Sequence, residues 1–258
     1  MTYLPTTAFI RLNFNPNPKT YIFSENKRLA FIFILKRGKK MIEIILVGVL
    51  FWLDIILVFA SERFGYITYN DLDADAKLPK IHDDPKKFKI GFGLILMEHF
   101  NIIALAIMLF IAFGSYSLIL GIVWITFRIG EGLIQIYYKK NYWEILKLAK
   151  QYPGTSDAEK NSFIELGRSI LKTKSSSFSF AQILFSIGTL AYSILFSIHE
   201  VVPAIFGWFG IVSSIIYGLG NGIILIKPKF KILAYLGGLL IFIFEAILGG
   251  WLIFSSFI

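Results

Sequence analysis

The chain has 258 residues, 56% of them hydrophobic and 17% charged, with a mean hydropathy of +0.67. A soluble domain of this size is about 45–50% apolar, and the surplus here falls in long unbroken blocks, which excludes an ordinary water-soluble core. The net charge of +9 sits mainly in residues 1–40, where eight Lys/Arg face the single acid Glu25, so the nearly neutral body 41–258 offers no nucleic-acid-binding stripe.

Residues 1–40 read as a basic N-terminal extension with little helical periodicity, rich in Asn, Pro and Thr. Two readings of it stand open. Arg37-Gly38-Lys39-Lys40 directly before Met41 is what translation of a purine-rich ribosome-binding site would give, which makes Met41 a candidate start. The other reading is a genuine disordered basic tail. A signal peptide fits less well, because Phe31–Leu35 is too short for the apolar region.

From Met41 onward six spans are predicted, at about 41–60, 90–113, 115–138, 178–199, 204–226 and 232–257. A bilayer demands about 20 apolar residues per spanning helix, and helices satisfy every backbone polar group within lipid. The expected fold is all-α, a polytopic transmembrane bundle. The second and third spans are parted only near Gly114-Ser115-Tyr116 and form a tight hairpin. Pro203 separates the fourth from the fifth. The connector 139–177 is expected to be partly helical and amphipathic, with a capping box at Ser156-Asp157-Ala158-Glu159 and Phe163, Leu166 and Ile170 at helical spacing. It is expected to lie along the membrane interface. Gly218 and Gly222, one turn apart, predict close helix packing.

The connectors 61–89, 139–177 and 227–231 carry six, eight and three Lys/Arg, and the two opposite turns carry none. This places the three charged connectors in the cytoplasm of a prokaryotic plasma membrane. The basic cluster before Met41 conflicts with that orientation.

Ionisable groups inside hydrocarbon are costly unless paired or hydrated, so each one is informative. The set is Asp54, Glu98, His99, Asn101, Arg128, Glu131, Asn221 and Glu245. All but Glu245, near mid-depth, fall in the half of the membrane facing the charged connectors. Arg128 is the only base among four acids and is expected to pair with Glu131, three residues on along the same face. Glu98 and Glu245 are the candidate partners from other helices. The cluster is either an ion-pair network that fixes helix register or a polar cavity for a solute, an ion or a lipid headgroup.

His99 beside Glu98 is not expected to bind metal, since neighbouring residues on a helix point apart and no H-E-x-x-H pattern is present. With no cysteine, thiolate metal sites and disulfides are excluded. No phosphate-binding loop, dinucleotide fingerprint or nucleophile elbow appears, so no cofactor is expected.

Phe127-Arg128-Ile129-Gly130-Glu131-Gly132 and the ending Ile243-Phe244-Glu245-Ala246-Ile247-Leu248-Gly249-Gly250-Trp251-Leu252 resemble segments of a prokaryotic membrane family, the domain of unknown function 4386. The connector with Asp83-Asp84-Pro85 and Phe88 is similar too, and the likeness covers about 41–258. It implies six helices, groups Arg128, Glu131 and Glu245 together, and supplies no activity. Two features depart from that family: Ala204 follows Pro203 where a basic residue is usual, and the Ala112-Phe113-Gly114-Ser115 turn lacks basic residues. The family's charges imply a cytoplasmic N-terminus, opposite to the loop count.

These readings predict an integral membrane protein that partners the bilayer and a small polar or lipid ligand. The first expectation is a non-enzymatic, transporter-like or structural module. The alternative is an intramembrane enzyme acting on a lipid headgroup, with Glu98 or Glu245 as acid/base. Oligomeric state is not legible.

Overall fold

The computed structural model describes residues 18–64, 73–152 and 157–257, without the side chains of 18–37, 39, 157–158 and 173–174. Residues 1–41 and 42–258 are two separate compact units. The described part of the first is helical, where the sequence shows little periodicity. Between Lys19 and Arg37 neither Gly nor Pro interrupts the backbone, and Lys, Arg, Leu and Ala all favour helix.

All regular structure among the described residues is α-helical. The elements are α1 (Pro18–Arg63), α2 (Ala74–Asp83), α3 (Pro85–Phe113), α4 (Leu118–Tyr138), α5 (Lys140–Gln151), α6 (Asp157–Ile198), α7 (Ala204–Ile226) and α8 (Ile232–Ser255). Six helical stretches are long and apolar enough to cross a bilayer, carried by α1 from Lys40, α3, α4, α6, α7 and α8. The chain is a multi-pass membrane protein, with six spans among the described residues.

Two boundaries differ from the sequence reading. α3 begins at Pro85, ahead of the expected 90, because the Asp84 side chain caps it: Oδ1 accepts from the Lys87 amide at 3.0 Å, and proline suits the first turn. α6 runs on from Asp157 without a break, so its first twenty-one residues project beyond the expected span. The anticipated capping box begins at Ser156, outside the described residues.

The spans form a ring in chain order. α3 packs on α4, α4 on α6, α6 on α7 and α7 on α8. Asn101 of α3 reaches the Leu50 carbonyl of α1, and Gly48 of α1 meets Gly249 of α8, closing the ring. α7 and α8 approach backbone to backbone, since a Cβ on Gly237 would stand 2.5 Å from Tyr217 Cα. Of the two glycines expected to serve packing, Gly218 does face Ser186, whereas Gly222 faces open space and Gly220, against Ala234, takes its place.

Two cores result. In the half away from the charged connectors, Phe51, Trp124, Tyr192, Phe196 and Phe244 centre a large apolar cluster. Tyr192 stacks on Phe244 at 6.1 Å between centroids, and Phe113 meets Phe196 edge-on at 5.1 Å. On the connector side, Leu78 and Ile81 of α2 pack with Phe88 and Phe92 of α3 and with Tyr142, Ile145 and Leu146 of α5. Phe163 and Ile170 of α6 join them, while Leu166 is exposed. The apolar faces of the connector helices are covered in large part by one another and by the end of α3.

Candidate functional site

Between the two cores lies a cavity of about 660 Å³. Its deep wall carries Asp54 of α1, Glu98 and His99 of α3, Arg128 and Glu131 of α4 and Glu245 of α8. Lys139, Tyr142, Ser175, Ser177, Lys231 and Tyr235 line it nearer the charged connectors. Phe113, Trp124 and Phe196 of the far core are not among its lining. The cavity is thus one-sided, as the depths of the polar residues along their spans suggested.

Arg128 is 1% exposed and anchors the deep wall. Its Nη1 donates to Glu131 Oε2 at 2.7 Å, the pairing expected from the three-residue spacing. Gln135, one turn further, donates to the other Glu131 oxygen at 3.0 Å. The guanidinium carbon lies 4.2 Å from the centroid of the Phe185 ring, on whose face its charge is favourable. Gly188 makes room for this arginine, because a Cβ there would sit 2.7 Å from Arg128 Cγ.

The helix-to-helix partners expected for Arg128 are not made. A carboxylate one turn along its own helix already satisfies Nη1. Glu98 instead contacts Nδ1 of His99, contrary to the expectation that the two diverge. Both lie on the interior side of α3, where their side chains fold back toward one another. Glu245 Oε1 is buried and has no hydrogen-bonding partner in the protein, and neither has Arg128 Nε.

Asn101 does not line the cavity but holds Asp54: its Nδ2 donates to Oδ1 at 2.6 Å and to the Leu50 carbonyl at 2.9 Å. Asn221 does not belong to the cluster. Its amide donates to the Tyr217 carbonyl at 3.0 Å within α7, which satisfies it locally. Tyr217, one turn earlier, does face the cavity, and its hydroxyl donates to Gln182 Oε1 at 2.9 Å.

Gln135, Gln182 and Tyr217 were missed in the sequence because they carry no charge. A signal existed. Ser179, Gln182, Ser186, Thr189 and Ser193 recur every three or four residues along α6 and are all buried. Such a stripe on an otherwise apolar helix marks the face turned away from lipid. Among the described residues, no group of three His, Asp or Glu side chains is placed to hold a metal ion.

The family model described as Domain of unknown function (DUF4386) matches residues 46–255. The chain belongs to that family. The DUF4386 match runs from within α1 to the end of α8 and includes every acidic and basic group of the cavity's deep wall. Arg128, Glu131 and Glu245, grouped by the DUF4386 resemblance, all line this one cavity, with Glu245 bonded to neither of the others. No curated protein and no solved structure matches the chain.

Proposed function

We propose that this protein binds a small organic cation, an amine, in the cavity and carries it across the membrane without chemical change. The observation that carries the reading is Glu245 Oε1, an acceptor buried in the cavity wall with no partner. Asp54 is engaged by Asn101 and Glu131 by Arg128 and Gln135, while Glu98 Oε2, in contact with His99 but without a hydrogen bond, adds a second free acceptor. A buried acceptor left unsatisfied costs about 1–3 kcal/mol, which a ligand N–H would recover. The deep wall also has four carboxylates to one guanidinium, so its charge favours a cation over an anion. Tyr138, Tyr142, Tyr217 and Phe185 add ring faces of the kind that hold ammonium groups.

Carriage rather than storage is supported by what lies beyond the cavity. The hydroxyls of Thr189, Tyr192 and Ser193 on α6 and the indole N–H of Trp124 on α4 are buried in the far core without a well-formed hydrogen bond. Thr189 and Ser193 continue the polar stripe of α6 toward the opposite face. A solute passing the far core would find them in sequence, and the one-sided cavity is then one end-state of an alternating carrier. The plasma membrane, with the charged connectors in the cytoplasm, is the location that the Lys/Arg count supports.

Glu245→Gln tests this, because it keeps the shape and removes the charge. Binding of ethylammonium and butylammonium to the purified protein, read as thermal stabilisation in detergent, is expected to weaken roughly ten- to a hundredfold. Unchanged affinity in the variant, or stabilisation of the wild type by carboxylates and not by amines, would refute it.

A further inference from the structure

Resting on that reading, we propose that the cation is amphiphilic and enters from the bilayer itself, through a lateral seam between α1 and α8 closed by Phe59 and Phe242. In the far half these helices are pinned: a Cβ on Gly48 would lie 2.7 Å from the Gly249 carbonyl oxygen, and one on Gly249 would lie 2.9 Å from Phe51 Cβ. No glycine contact holds them on the connector side. There the two helices are bridged ring to ring, with Phe59 edge-on to Phe242 at 5.7 Å between centroids.

Both rings line the cavity, yet Phe59 is 53% and Phe242 38% exposed. These two exposed aromatic side chains stand between the cavity and the outer surface at this level. Each can swing by rotation about its side-chain torsions without moving a helix.

The lining selects the occupant. Phe59 is four residues before Arg63, about 6 Å from the connector end of α1, and Phe242 is ten residues along α8 from Ile232, about 15 Å. The seam therefore runs from near the membrane surface toward mid-depth, and Glu245 lies about 20 Å along α8. A molecule with an apolar body and one ammonium group rests with its charge at the surface and its body among the acyl chains, because an ammonium is costly in hydrocarbon. From there it can pass two phenyl rings. Beyond them the unpartnered Glu245 oxygen receives its charge. The cavity suits such a ligand, since eight aromatic residues line it, Phe178 and Tyr235 among them. A purely hydrophilic amine would instead use the mouth beside Lys139 and Lys231.

The absence of cysteine permits a direct test. Phe59→Cys and Phe242→Cys are combined in the full chain and bridged by a short, reducible bis-thiosulfonate linker, which locks the seam. Binding of 4-phenylbutylammonium and of ethylammonium to the purified protein in nanodiscs is followed by stopped-flow intrinsic fluorescence. The linker is expected to slow association of 4-phenylbutylammonium at least about tenfold. Reduction should restore it, and ethylammonium should be indifferent to both. If the bridged protein takes up 4-phenylbutylammonium as fast as the reduced one, lateral entry is wrong while amine binding stands. The same holds if ethylammonium is slowed equally. If neither amine binds the wild-type chain, both proposals fall together.

Discussion

Arg128→Met is expected to destabilise the protein by about 3–5 kcal/mol, and adding Glu131→Leu in the same chain to restore most of that loss. The pair is buried, with side chains 2% and 1% exposed, and its 2.7 Å bond is the guanidinium's only carboxylate contact within ion-pair distance among the described residues. Removing the arginine leaves Glu131 in a low-dielectric wall without its cation and with only Gln135 to bond it. Removing both takes away the unpaired buried acid, and two apolar side chains of similar length refill the space beside Phe185. A double-mutant cycle on reversible unfolding in mixed micelles reads the coupling directly. Additive losses would mean that the two residues do not act as a unit.

Phe244→Ala is expected to cost about 3–5 kcal/mol and to breach the far core. Phe244 is fully buried, stacks on Tyr192 and meets Phe209 edge-on at 6.2 Å. Truncating it leaves a void between α6, α7 and α8 at the level where the unpartnered hydroxyls begin. Beyond the loss in thermal midpoint, proteoliposomes bearing the variant should leak potassium, which wild-type proteoliposomes should retain. A stable variant with tight vesicles would show that the far core does not depend on this ring.

The six spans were legible because hydrocarbon demands long apolar runs, and nothing in the chain obscures them. The connector helices were harder to read. α2 carries an internal Pro79 and few apolar residues, and its reason for folding is the partner surface on α3 and α5 rather than its own pattern. Within the site, Arg128 with Glu131 could be read because partner and spacing lie on one helix. The fate of Glu98 and Glu245 could not, because it depends on which helix faces which and on how far a side chain bends back. The Glu98–His99 contact shows this: helical geometry alone sends neighbours apart, and a shared interior face brings them together. Gly188 was invisible as a site residue, since its contribution is the space it leaves for Arg128.

The polar cavity opens to the connector side and is sealed from the other by the far core. Single cysteines placed in this cysteine-free chain test it through labelling by a membrane-impermeant maleimide added to one side at a time. Ile134→Cys, in the cavity wall, should react only from the side that labels Lys147→Cys on the exposed face of α5, and Leu195→Cys, in the far core, should react from neither. Labelling of Ile134→Cys from the opposite side, or ready labelling of Leu195→Cys from either, would contradict the account.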